Sequence, residues 1–218
     1  SITAEAETRN LELILTSQGR SNEDTNKEIW KYNDIEVSFN GMNYQTNGWV
    51  EDSDGNIAMR LSGGATMSIP LHLFAKDIRQ TGKTIEIEFA VRQITDFTSV
   101  ILSCMQGGIG LQLTPNTISI TSEQSALETK YKEDERVRIS FVIEKRANNR
   151  LMQIYINGIK SQSLQYPNND GFTQSAPVGI TVNSSTATID IYNIRSYSNT
   201  LNAQQLLDNI IADMDVIE

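Results

Sequence analysis

The stretch from Ala187 to Met214 changes its hydrophobic period once, and nothing else in the chain does so as clearly. It reads as a strand, a short polar turn and a capped amphipathic helix. Asn202 is placed to serve as N-cap, with Gln205 at the N3 position of a capping box. Leu201 and Leu206 fall at the two positions of a hydrophobic staple. Leu206, Leu207, Ile210, Ile211 and Met214 then form one helical stripe. Everything before this helix reads as strands. A single helix with no partner helix cannot build a layer of its own, so it must dock on the edge or convex face of a β structure.

The strands follow from alternation. From Ile35 the period is two: Ile35, Val37 and Phe39 alternate with Glu36, Ser38 and Asn40. Ile57, Met59 and Leu61 repeat the pattern. In the middle of the chain Ile85, Ile87, Phe89 and Val91 face one side, and Thr84, Glu86, Glu88 and Ala90 the other. Val137, Ile139, Phe141 and Ile143 behave likewise, opposite Arg138, Ser140 and Glu144. Such strands are expected to be antiparallel, with one side in the core and one side wet. Asn157-Gly158 between two apolar runs is a hairpin signal, because a type I′ turn needs positive φ at both central residues. Ten or more short strands at this spacing predict a two-sheet sandwich or a barrel. Residues 1–34 are read as an N-terminal linker that can carry an edge strand at Leu11–Leu15, and residues 35–218 as one domain that includes the helix. No internal repeat breaks this organisation.

Length and charge narrow the function. A chain of 218 residues can bury a sizeable core in one all-β domain. With 18 basic and 27 acidic residues the net charge is −9. That balance argues against non-specific nucleic-acid binding, which needs a basic face, and against anchoring on anionic lipid. The single cysteine, Cys104, excludes an intramolecular disulfide, so the fold rests on its core. No run of about 18 apolar residues is present, so no spanning helix or membrane insertion is expected. No charged-then-apolar leader opens the sequence.

The final strand, Ile191-Tyr192-Asn193-Ile194-Arg195, runs into a Leu201-Asn202 polar turn. It resembles the closing strand of the laminin-G-like, concanavalin-A-like jelly-roll family, and the resemblance in strands and turns covers roughly Ile35 to Met214. It implies an all-β, two-sheet antiparallel jelly-roll sandwich with a C-terminal helix. The segments Gly63–Pro70, Gly82–Arg92, Val100–Gly108, Tyr131–Arg146 and Ile154–Ile159 also resemble jelly-roll modules in structural proteins of gut-bacterial phages and prophages. That second resemblance implies a virion or extracellular-surface location. Its partner would be a bacterial surface glycan, for host attachment, or a neighbouring virion subunit, for architecture.

Candidate chemistry is sparse. Glu86 and Glu88 project from one strand face, as the paired carboxylates of jelly-roll glycosidases do, and a glycoside hydrolase using them is the enzymatic alternative. The third acid of that family motif is missing, and Arg92 follows instead; a solvated strand face is the simpler expectation. Asp52-Ser53-Asp54-Gly55-Asn56 resembles the start of a calcium loop, but the twelfth position is Gly63, which excludes an EF-hand. The simpler reading is an acidic turn; the other is a rim calcium held by Asp52 and Asp54. His72 is the only histidine and sits in an apolar stretch with no nearby acid, so no catalytic triad is expected. Cys104 reads as a buried inert thiol. No cofactor is required by any motif, and no enzyme is expected.

Two loops combine aromatic rings, which pack on the C–H faces of sugars, with amides and acids that hold hydroxyls. One contains Tyr44, Asn47 and Trp49. The other contains Tyr166, Asn168, Asn169 and Asp170. These residues are the expected ligand-binding set of a non-catalytic carbohydrate- or cell-surface-binding module. The competing reading makes the aromatics packing residues and the Asn and Asp residues turn formers.

Overall fold

The computed structural model describes residues 3–70, 82–95, 102–105, 110–121, 126–147, 149–167 and 179–215. Its largest sheet has eight strands: β1 (Leu11–Thr16), β5 (Gly48–Glu51), β6 (Ile57–Leu61), β8 (Lys83–Ile94), β13 (Val137–Lys145), β14 (Asn149–Ile156), β15 (Ile159–Pro167) and β17 (Ala187–Tyr197). They run in the order β15-β14-β13-β8-β17-β6-β5, with β1 sharing one side of β17 with β6, and all pairs are antiparallel. Facing it is a four-stranded sheet, β4 (Ser38–Asn40), β7 (Thr66–Pro70), β16 (Gly179–Asn183) and β9 (Leu102–Met105), in the order β4-β7-β16-β9. A three-stranded meander, β10 (Gly110–Leu113), β11 (Thr117–Thr121) and β12 (Ala126–Lys130), lies beside β9. A short ribbon of β2 (Lys31–Tyr32) and β3 (Ile35–Glu36) completes the strands.

The alternation read from the sequence fills one core. Ile85, Ile87, Phe89 and Val91 of β8 and Val137, Ile139, Phe141 and Ile143 of β13 meet Met67, Ile69, Ile180 and Val182 of the facing sheet and Leu113, Ile118 and Leu127 of the meander. This is the all-β antiparallel sandwich expected. Asn157 and Gly158 form the β14–β15 turn with φ of 51° and 82°, the two positive angles a type I′ hairpin requires. The N-terminal stretch belongs to the same core: Leu13, Leu15 and Trp30 are buried in it, and β1 pairs with β17 along Leu11–Thr16.

The helix α1 (Ala203–Asp215) closes the chain. Asn202 Oδ1 accepts the Gln205 N–H at 2.9 Å, and Gln205 Oε1 accepts the Asn202 N–H at 2.8 Å, a reciprocal capping box. Leu201 and Leu206 pack in one cluster with Val142, Tyr155 and Tyr197. The buried face differs from the expected stripe. Leu207 and Met214 are exposed, while Asn209 and Asp213 are buried with Leu206. The helix lies on the outer face of the large sheet, where charged side chains of β8, β13 and β17 await it, so its docking face is polar. Among the described residues no helix is long and apolar enough to cross a membrane.

Candidate functional site

The loop before β5 is built for packing. Asn47 Oδ1 accepts the Asn43 N–H at 2.9 Å, and its Nδ2 donates to the Ser62 carbonyl at 3.3 Å. Trp49 is 4% exposed and stands edge-on to Trp30, with ring centroids 5.1 Å apart. Its indole N–H donates to the Lys27 carbonyl at 2.8 Å, and the Arg20 guanidinium covers its ring at 4.3 Å. Asn22 ties the loop down by donating to the carbonyls of Tyr44 and Asn47 and accepting the Trp49 N–H. This fit needs Gly48: its φ is +91°, and a Cβ there would lie 2.5 Å from Tyr44 Cδ1 and 2.7 Å from Asn22 Oδ1. Tyr44 is half-buried with Lys27 over its ring at 5.6 Å. Burial, followed by the Glu28 charge, pushes its hydroxyl pKa up. Asn47 and Trp49 are thus the frame of this loop, and Tyr44 is its more accessible aromatic.

Of the second expected set, only Tyr166 falls within a described strand. Tyr166 is near the end of β15, paired in register with Arg150, and Asn168, Asn169 and Asp170 lie outside the described residues. β15 and β5 are opposite edges of the large sheet. Six interstrand steps separate them, roughly 29 Å along the sheet. The strands leading to Trp49 and to Tyr166 are thus the two far edges of this sheet. His72 also lies outside the described residues, and Cys104 sits in β9 opposite Ile180.

The turn at Asp52 is an acidic β-turn that organises its neighbours. Asp52 Oδ1 accepts the N–H groups of Asp54 and Asn56 at 2.8 and 2.9 Å, and Oδ2 accepts the Tyr192 hydroxyl at 2.6 Å. Arg92 stands 3.9 Å away. Burial raises the Asp52 pKa, but these hydrogen bonds and the Arg92 charge outweigh it and hold the carboxyl below its usual range. A guanidinium beside an already engaged carboxylate does not fit a calcium ion. Among the described residues no three His, Cys, Asp or Glu side chains cluster as metal ligands.

Glu86 and Glu88 are not on a solvated face; they are 1% and 7% exposed beneath α1. This corrects the expectation of a wet strand face, and the cause is the helix that covers it. Glu86 accepts the Ser140 hydroxyl at 2.9 Å and the Asn209 amide at 2.7 Å. Glu88 pairs with Arg136 and with Arg138 at 3.0 Å. Asp213 from the helix pairs with Arg138 and, at 2.6 Å, with Arg195. Burial pushes the Asp213 pKa up, yet the hydrogen bonds and charges of Arg195 and Arg138 win and lower it. Burial opposes the charge of Arg138, but Glu86, Glu88 and Asp213 together raise its pKa above the ordinary arginine value. Glu7 from the N-terminal stretch donates its N–H to Asn209 Oδ1 at 2.8 Å. The carboxylates are committed to holding the helix, which is structural work.

The same outer face carries a second network that the sequence reading missed. Asp190, fully buried, accepts Arg60 Nε and Nη2 at 2.8 Å each and Arg92 Nε at 2.9 Å. Arg92 Nη2 reaches the Tyr192 hydroxyl at 2.6 Å, and Arg136 lies over the Tyr192 ring at 4.0 Å. Charged residues at outward positions of three neighbouring strands, Arg60, Arg92 and Asp190, were the available signal.

No protein-family profile matches the chain, and no curated protein is similar to it in sequence. Its fold is similar to solved structures. The binding domain of botulinum neurotoxin DC, in complex with rat synaptotagmin II, superposes with a TM-score of 0.63 at 14% identity, over 95% of this chain and 52% of that one. The botulinum neurotoxin type G receptor-binding domain matches with a TM-score of 0.57 at 15% identity, over 91% and 50%. This chain thus spans about half the length of the botulinum chains it matches. Domain 4 of AbnA, an extracellular arabinanase of Geobacillus stearothermophilus solved with arabinotriose, matches with a TM-score of 0.61 at 15% identity, over 92% of this chain and 98% of that one. The chain shares the β-sandwich fold of these domains.

Proposed function

We propose that the chain is a non-catalytic carbohydrate-binding module. The observation that carries this reading is its domain-length likeness in fold to AbnA domain 4, which was solved holding arabinotriose. A botulinum binding domain of the same fold was solved in complex with SialylT. The commitment of Glu86 and Glu88 to Arg136, Arg138, Ser140 and Asn209 supports a binding role over glycoside hydrolysis. We place the module on a virion or extracellular surface, as part of a larger phage or prophage protein that attaches to bacterial glycan; the sequence resemblance in Tyr131–Arg146 and Ile154–Ile159 supports that setting. Tyr44, beside the β5 edge of the large sheet, and Tyr166, in the β15 edge, belong to two candidate contact surfaces.

A specific observation favours a second reading. Ile159, Leu207 and Met214 are 74%, 42% and 58% exposed, and the architectural alternative, a contact with neighbouring subunits, would use such side chains. A glycan array probed with multivalently displayed protein separates the two. The glycan reading expects hits, and a hit made at the Tyr44 or the Tyr166 surface should lose about 1–3 kcal/mol of binding when that tyrosine is truncated to alanine. An empty array with folded, multivalent protein would favour the architectural reading.

A further inference from the structure

A cleft of about 390 Å³ opens where the C-terminal end of α1 passes the β5–β6 turn, at the exposed end of the Glu86–Asp213 network. This volume lies at the small end of the range for ligand sites. Asp54 and Asn56 line it from the turn, Glu88, Arg136 and Arg138 from the sheet, and Ile210 and Met214 from the helix.

The polar wall is incompletely paired. Arg138 is 3% exposed, and neither its Nε nor its Nη1 makes a hydrogen bond; the Glu86 carboxylate stands 3.6 Å from Nη1. Arg136 Nη2 and the Oδ1 of Asn56, a residue 8% exposed, are also buried without a partner. A buried polar atom left open is destabilising, because it has given up water and gained no partner. Four of them on residues lining one cleft, donors and an acceptor together, suit a ligand whose groups both accept and donate. Hydroxyls do both.

Charge decides between neutral and acidic ligands. Around the cleft stand the carboxylates of Asp54, Glu86, Glu88 and Asp213 and the guanidiniums of Arg136, Arg138 and Arg195. Four negative groups against three positive ones leave no surplus cation for an anion. Met214, a residue 58% exposed, and Ile210 supply an apolar wall from the helix side. Such a wall suits the C–H face of a sugar ring.

We propose that this cleft binds a neutral sugar residue, its hydroxyls on Arg136, Arg138 and Asn56 and its C–H face on Met214. The proposal rests on the glycan reading above and adds the place and the class of sugar. The test titrates protein carrying ¹³C-methyl methionine with neutral trisaccharides of arabinose, glucose and galactose, and with sialyl-lactose as the acidic member. Six methionines give six methyl signals, and Met214→Leu assigns the one that matters. The expected result is a saturable shift of the Met214 methyl with a neutral sugar. Asn56→Ala and Met214→Ala should weaken that sugar by about fivefold or more. Binding that leaves the Met214 methyl unmoved and both cleft variants at parental affinity would overturn the cleft and keep the glycan reading. Preference for sialyl-lactose would overturn the neutral class. No binding by any sugar would overturn both readings.

Discussion

Replacing Asp213 with Asn should destabilise the protein by about 3 kcal/mol at neutral pH. Removing one partner of a buried ion pair costs about 3–5 kcal/mol, because the remaining charge stays in a low-dielectric site. The lower end applies because Arg138 keeps Glu88 at 3.0 Å and Glu86 at 3.6 Å. Arg195 loses more: its other side-chain hydrogen bond is to the Tyr197 hydroxyl at 3.3 Å. For a chain of this size the loss corresponds to a Tm lower by about 6–12 °C. Urea unfolding gives the free energy directly. The pH dependence supplies a second check. The folded carboxyl titrates below its ordinary value, so the unfolded chain binds more protons as the medium is acidified. The Asp213 contribution is therefore complete above about pH 4, where an unfolded aspartate is ionised, and is lost as pH falls through the lower folded value. Asp213→Asn lacks this contribution, so parent and variant should converge on acidification below about pH 4. A neutral-pH loss under about 1 kcal/mol, or a gap that does not narrow in acid, would refute the claim that this pair is a dry structural contact.

Other substitutions probe the remaining parts of the structure. Gly48→Ala forces a side chain into a left-handed backbone and against Tyr44 and Asn22, and should cost about 1–3 kcal/mol in thermal unfolding. Asn202→Ala removes the cap that accepts the Gln205 N–H; a loss of about 1 kcal/mol is expected by urea titration, with Asn202→Asp close to the parent. Trp49→Ala empties a core position against Trp30 and should cost about 3–5 kcal/mol, read by the urea midpoint; a near-neutral result would place that ring at a surface instead.

The strands, the Asn157-Gly158 hairpin and the Asn202–Gln205 capping box were legible because each depends on residues close in sequence. The buried polar layer was not. Alternation says that Glu86 and Glu88 share a face, but only the docked helix decides whether that face is wet. Asn209 and Asp213 lie three and seven residues after Leu206, on its face of α1 but flanking the Leu-Ile stripe, and polar residues at a stripe's edge ordinarily meet solvent. Their burial follows from Arg138 and Arg195, which arrive from distant strands. Trp49 is buried because the segment carrying Arg20, Asn22 and Lys27 folds over it, a tertiary contact with no local signature. Nor does the sequence tell that β5, after Tyr44, and β15, which carries Tyr166, are opposite edges of one sheet, because strand order is a tertiary property.

Isothermal titration calorimetry with neutral oligosaccharides, arabinotriose among them, tests the non-catalytic binding role most directly, because it reads association and turnover in one trace. A saturating isotherm that returns to a flat baseline is the expected result, with the sugar recovered intact. Sustained heat from hydrolysis that disappears in Glu86→Gln, or no heat with any glycan offered, would contradict it.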